Sequence, residues 1–234
     1  MAADRPRSAG SDFGPVPPPR PTLVEIGGRD GFRARVEPSS PPATATVIRP
    51  ARAALDINGS FQLETLETER LLLRHRRVEE AAAYRQLWAE RDPRVPPHRR
   101  IDGEGRPTVE DIAAQIRAER EQSRPGLLAV ERKWTSDVIG YCGLVFQGNG
   151  APDEPELAFE LLRAAHGCGY ATEAGGAVVA WASEAGYGRV WATVRDWNAA
   201  SRRVLEKLGF RETDHVEHDP IHGDSLLVER EFEP

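Results

Sequence analysis

Between Glu67 and Phe232 the spacing of apolar residues switches repeatedly between two periods, and the order of the switches narrows the fold more than any single motif. "ETERLLLRHR" (Glu67 to Arg76) reads as a strand. "VEEAAAYRQLWAER" carries Ala82, Ala83, Leu87 and Trp88 at helical spacing and is stopped by "RDPRVPP". "TVEDIAAQIRAERE" opens with Thr108 as N-cap and Asp111 three residues on, with Ile112 and Ile116 on one face. "GLLAVERK" and "DVIGYCGLVF" are strands joined by the turn "WTSD", and "EPELAFELL" is a third. A helix from about Tyr170 to Glu184, the strand "RVWATVR", a helix from about Ala199 to Leu208 and the strands "FRETDHVE" and "SLLVEREF" complete the order. This is not regular βαβ alternation. It predicts one α/β (α+β) domain around a mixed, mostly antiparallel sheet flanked by helices.

The first 60 residues differ in kind. "PVPPPRP" and "EPSSPPATAT" bury too little apolar surface to offset their ordering entropy, so residues 1–60 are expected to form a largely disordered, Pro-rich extension, and residues 61–234 the domain. Inside the extension, "TLVEIGGRDGFRARVEP" alternates around a Gly and Asp cluster and reads as a possible hairpin.

Charge limits the partners. With 31 Lys and Arg against 37 Asp and Glu the net charge is -6, so no global basic field draws the chain to nucleic acid or anionic lipid. No apolar run approaches the roughly 18 residues of a membrane span, and "MAADRPRSAG" lacks the apolar core of a signal peptide. A cytoplasmic location is expected, as a monomer or homodimer. Cys142 and Cys168 suit a reducing compartment, and no Cys or His spacing matches a metal site. The tryptophans Trp88, Trp134, Trp181 and Trp191 read as core or pocket wall.

The stretch "RAAHGCGYATEA" (Arg163 to Ala174) places Gly167 and Gly169 immediately before a helix. An ordinary strand-to-helix turn needs glycine there; so does a loop that offers bare backbone N–H groups to an anion at a helix N-terminus. A P-loop would need a terminal Gly-Lys-Ser/Thr, and a dinucleotide fingerprint a third small residue where Thr172 stands. Both fail. A loop that chelates a pyrophosphate with consecutive amides is the phosphate reading that survives.

The run His166-Gly167-Cys168-Gly169-Tyr170-Ala171-Thr172-Glu173-Ala174, followed one strand later by "NAASRRVLEKLGF" (Asn198 to Phe210), resembles the GNAT superfamily of N-acetyltransferases, in the branch that holds the ribosomal-protein N-terminal acetyltransferases. The resemblance spans roughly Phe61 to Phe232. It implies acetyl-CoA as donor, with no metal. The pyrophosphate would lie on the segment His166, Gly167, Cys168, Gly169, Tyr170, Ala171 and Thr172, and the pantetheine arm between "ELAFELL", at Leu161, and "VWATVR", near Asn198. It departs from the family at Cys168, where Lys, Arg or Gln is common.

Acetyl transfer to an amine needs a neutral amine, a polarised thioester carbonyl and a proton for the thiolate. An α-amine with a pKa of about 8 is about one-tenth neutral at pH 7, a lysine far less. Regular strand geometry puts Glu156, Ala158 and Glu160 on one face and Leu157, Phe159 and Leu161 on the other. Glu156 is the first choice of base, where the family often has Glu; Glu160 and water stay open. Asn198 and Ser201 read as N-cap and first-turn residue, or as a partner of the pantetheine or substrate and the proton donor to the sulfur. Ser201 is the one hydroxyl between Ala199 and Gly209, where many GNAT enzymes use Tyr. No triad partner supports Cys168 as a nucleophile. The acceptor is a protein N-terminus or a small-molecule amine, and Arg91, Arg94, Arg99, Arg100 and Arg106 form either its anion-gripping loop or a solvated one. A non-catalytic acyl-CoA-binding sensor of the same fold is the alternative.

Overall fold

A computed structural model describes residues 54–55, 61–62, 65–120, 126–146 and 154–233. The possible hairpin at residues 22–38, and all but two residues of the expected extension, lie outside them. A short ladder pairs β1 (Ala54–Leu55) with β2 (Phe61–Gln62). The remaining strands are β3 (Thr65–Glu67), β4 (Leu71–His75), β5 (Leu127–Arg132), β6 (Val138–Val145), β7 (Glu156–Leu161), β8 (Arg189–Arg195), β9 (Arg211–Glu217) and β10 (Ser225–Glu231). They form one eight-stranded sheet in the order β3-β4-β5-β6-β7-β8-β10-β9, antiparallel at every junction except β7 to β8. Among the described residues, four α-helices flank it: α1 (Ala81–Glu90), α2 (Val109–Arg120), α3 (Tyr170–Glu184) and α4 (Ala199–Lys207).

The α/β sheet and the element order match the sequence reading, with two corrections. "ETERLLLRHR" is not one strand: Thr68 and Arg70 turn the chain, and β3 pairs back on β4 with Leu66 opposite Leu73. The Thr68 hydroxyl accepts the Leu71 N–H at 3.0 Å, a local bond that competes with continuing the strand. On α1 the buried residues are Ala81, Tyr84 and Leu87, while Ala82 is exposed; the stripe lies one residue earlier than the alanine run suggests.

Local chemistry fixes the helix ends. Thr108 and Asp111 cap α2 reciprocally, each side chain taking the other's backbone N–H at 3.1 and 2.8 Å. At the end of α4, Gly209 takes a φ of +81°, the Phe210 N–H reaches the Leu205 carbonyl and the Gly209 N–H that of Glu206. That is a Schellman closure, which needs its glycine.

Two apolar clusters sit on opposite faces of the sheet. The larger joins Leu128, Val130, Leu144, Phe159, Val190 and Ala192 to α3 and α4. α3 is therefore built from small residues: Gly175 approaches Leu208 so closely that a Cβ there would lie 2.6 Å from its side chain. The smaller cluster packs Tyr84, Leu87, Ile112 and Ile116 against Ala129. Each fully buried large apolar side chain contributes about 1.5–3 kcal/mol. Trp181 is core, as expected, but Trp134 stands 89% exposed at the β5–β6 turn.

Candidate active site

The sheet opens between β7 and β8. Their parallel pairing consists of one bridge, Glu156 to Trp191, with the Trp191 N–H bonded to the Pro155 carbonyl at 2.9 Å. Beyond it the strands part. Leu162 donates to the Ile139 carbonyl and Asp196 to that of Asp224, so the alternation of antiparallel ladders turns the main-chain groups of Phe159 and Leu161, and of Thr193 and Arg195, into the gap. Two side chains and one backbone N–H satisfy part of this edge. The Glu156 Oε1 accepts the Thr193 N–H at 3.1 Å, the Arg195 carbonyl accepts the Asn198 N–H at 2.9 Å, and His166 Nε2, as donor, meets the Leu161 carbonyl at 2.8 Å. Two residues expected at the donor site thus engage each other, and Leu161 keeps its N–H for the gap.

Beside the gap the chain makes a turn, Arg163 to Ala165, and enters α3 through His166–Gly169. Gly167 and Gly169 take φ of +74° and +82°, a conformation that L side chains rarely adopt. No side chain caps α3 at Gly169, so the first-turn N–H groups of Tyr170, Ala171 and Thr172 carry the helix's partial positive charge uncovered. The first-turn acid, Glu173, is turned away: it accepts the Thr68 hydroxyl at 2.5 Å, the Arg70 N–H at 2.9 Å and Arg70 Nε at 2.6 Å. Arg70 also donates to the Cys168 carbonyl at 2.9 Å. The β3–β4 turn thus reaches the loop before α3 from 98 residues earlier in the chain, a juxtaposition no local sequence signal announces. Cys168 is exposed and in no disulfide, its thiol 3.5 Å from the His166 carbonyl; Cys142 is buried, and desolvation pushes its thiol well above the usual range.

The two carboxylates of β7 share a face and differ in state. Glu156 is 5% exposed, and burial pushes its pKa up against the opposing hydrogen bonds from Thr193 and the nearby positive charge of Arg99. Glu160 is fully engaged: Arg91 grips both oxygens at 2.8 and 2.6 Å, and the Tyr141 hydroxyl donates at 2.8 Å. Arg91 lies 3.9 Å over the Trp88 ring. Glu160 is held in a buried ion pair, and Arg91, expected in a solvated or anion-gripping loop, is buried against it.

The rest of that loop divides too. Arg94 pairs with Asp92 and lies 3.9 Å over Trp197, and its carbonyl meets the His222 ring at 3.1 Å, joining this loop to the β9–β10 connection. Arg100 donates to the Pro93 carbonyl, and Arg106 is exposed beside Glu104.

Asn198 and Ser201 come together at the start of α4, where Asn198 Oδ1 accepts the Ser201 N–H at 3.1 Å. The N-cap reading of Asn198 therefore holds. Ser201 is fully buried, and its hydroxyl has no hydrogen-bond partner. A buried hydroxyl left without a partner costs about 1–3 kcal/mol. On the face that carries the Glu156 and Trp191 side chains, an open hollow of about 530 Å³ is lined by Trp191, Thr213, Asp214, His215, Leu227 and Glu229. Among the described residues, no helix is long and apolar enough to cross a membrane, and no His, Cys, Asp and Glu cluster could hold a metal ion.

The model of the acetyltransferase (GNAT) domain family matches residues 70–211. An uncharacterized N-acetyltransferase, p20, of Bacillus licheniformis is 30% identical over 157 residues, 64% of this chain and 83% of that protein. RimJ of Mycobacterium smegmatis, solved in complex with CoA-disulfide, superposes with a TM-score of 0.57 and 26% identity over 69% of this chain and 81% of its own. An acetyltransferase from Agrobacterium tumefaciens gives a TM-score of 0.56 and 27% identity over 74% and 96%. The parted strands, the glycine loop and these likenesses coincide on the same residues, and the chain belongs to the GNAT family of acetyltransferases.

Proposed function

We propose that the chain transfers an acetyl group from acetyl-CoA to a primary amine, a protein N-terminus or a small-molecule amine, by direct attack in a ternary complex. The observation that carries this reading is the parting of β7 and β8 beside the uncapped start of α3. The gap offers main-chain groups of Phe159, Leu161, Thr193 and Arg195 to an extended amide-bearing arm, in the manner of an added strand. The loop from His166 to Thr172 offers backbone amides to a pyrophosphate.

Two side chains move protons. Glu156, buried and with its pKa raised toward the working range, takes the proton of the incoming amine, directly or through water. The amine nitrogen then bonds to the thioester carbonyl carbon and the carbon–sulfur bond breaks; the Ser201 hydroxyl gives its proton to the departing thiolate and regains one, through water, from the acetylated nitrogen, which must shed its second proton to become the amide. Asn198 acts through Ser201: its cap holds the first turn in which that hydroxyl stands. The acceptor approaches from the face of Glu156 and Trp191, where the hollow on β8, β9 and β10 has room for it.

Purified protein incubated with acetyl-CoA and panels of peptides and small amines, read as free thiol, tests the proposal. Amine-dependent thiol release is the expected result. CoA binding with no release across both panels would return the chain to a binding module.

A further inference from the structure

We propose that Arg70 is the positioning residue that makes the start of α3 fit for a diphosphate, an inference that rests on the donor site proposed above. The guanidinium does two things there. Its Nη1 donates to the Cys168 carbonyl at 2.9 Å, and Nε and Nη2 each lie 2.6 Å from Glu173 Oε2.

The first contact sets the loop's direction. A peptide unit is planar and trans, so fixing the Cys168 carbonyl toward Arg70 aims the Gly169 N–H to the opposite side, outward from the β3–β4 turn. Gly167 and Gly169, both at positive φ, leave this short loop more backbone freedom than other residues would, and the peptide plane between Cys168 and Gly169 needs an outside hold. Arg70 supplies one from a turn that is itself clamped. Its carbonyl accepts the Lys133 N–H at 3.0 Å, Lys133 Nζ meets the Thr68 carbonyl at 2.6 Å, and the Arg70 N–H and Thr68 hydroxyl both reach Glu173 Oε1. The Tyr170 ring lies 4.6 Å beneath the guanidinium.

The second contact sets the charge. A carboxylate in the first turn of a helix is favoured by the helix field, yet it would repel an incoming diphosphate at the same terminus. Arg70 cancels that charge, and Glu173 holds the arginine's fork in place.

The test is calorimetric CoA binding and steady-state kinetics on the full chain. R70Q is expected to weaken CoA by about tenfold or more, the scale of a lost charge-assisted hydrogen bond, and to raise KM for acetyl-CoA in step while kcat falls far less. R70Q/E173Q is expected to bind CoA more tightly than R70Q, because the uncompensated carboxylate is gone. A purely structural clamp would predict the reverse order. R70K keeps the charge without the fork and is expected between wild type and R70Q; it carries the test if R70Q does not fold, and wild-type affinity in R70K would then overturn the hold on Cys168. Wild-type protein that binds no CoA defeats the donor site itself. Wild type that binds, beside R70Q of equal affinity, defeats Arg70 alone.

Discussion

Glu156 Oε1 accepts the Thr193 N–H at 3.1 Å across the point where the β7–β8 ladder ends, so one carboxylate both closes the sheet and faces the gap it leaves. A backbone N–H orphaned by the parting strands would otherwise be buried without a partner.

Burial raises the Glu156 pKa above the ordinary carboxylate value of about 4.3. The acid limb of kcat/KM is therefore expected above that value, and Glu156→Gln should remove the limb. The stability consequence has the same origin. A carboxyl whose folded pKa is raised stabilises the fold fully below its unfolded pKa and loses that contribution as pH rises through the folded pKa. Melting temperatures taken across that window should fall for wild type relative to Glu156→Gln. A constant difference between the two would remove the buried-acid assignment.

Glu160, on the same face of β7, should behave oppositely. Its oxygens are taken by Arg91 and Tyr141, so Glu160→Gln is expected to lose stability while leaving the acid limb where wild type has it. Arg91→Ala, which strands a buried carboxylate, should cost about 3–5 kcal/mol in urea unfolding. A Glu160→Gln enzyme without an acid limb would transfer the base from Glu156.

Much of this was legible in the sequence for identifiable reasons. The helix from Tyr170 to Glu184 and the strand "RVWATVR" are long and periodic, and Asn198 and Gly209 are chemically specific signals of a helix start and stop. Alternation placed Glu156 and Glu160 on one face, but their different fates depend on Arg91 and Thr193, which arrive from 69 and 37 residues away. The β3–β4 turn went unread because "ETERLLLRHR" contains neither Gly nor Pro, and a threonine hydroxyl does the turning. Arg70 was invisible for the same reason. Its partners, Cys168 and Glu173, are brought to it only by the sheet and helix together.

Gly169→Val places a β-branched side chain at a φ of +82°. Its Cβ would lie 3.4 Å from Arg70 Nη2, so space is available and the cost falls on the backbone. That cost is about 1–2 kcal/mol if the loop keeps its shape. The protein is expected to fold, with a lowered melting temperature and CoA affinity reduced by tenfold or more, about 1.4 kcal/mol. Unchanged affinity in the folded variant would remove the loop from the donor site.

We propose that residues 61–234 contain the catalytic unit. A chain lacking residues 1–59 is expected to stay soluble and bind CoA as the full chain does, because the eight-stranded sheet and both apolar clusters lie within residues 65–233. Aggregation of the shortened chain on purification would show that the segment before residue 60 docks on the domain.

Ser201→Ala separates chemistry from binding and from stability at once. Its hydroxyl is buried without a partner, so deleting the oxygen relieves a desolvation cost and removes no protein hydrogen bond. The variant should be as stable as wild type or more so, by up to about 1 kcal/mol, because Asn198 still caps the Ser201 N–H. If the hydroxyl protonates the departing thiolate, kcat should fall by about a hundredfold. Acetyl-CoA affinity should barely move, since the contact forms mainly in the transition state. A thioester with a lower leaving-group pKa needs less help, so the loss should shrink when the donor thiol is made more acidic. Thermal unfolding, CoA titration and kcat under conditions where chemistry limits turnover provide the three readings. Unaltered kcat with raised stability would leave Ser201 as an unpaired hydroxyl in the first turn of α4 and assign the proton to solvent.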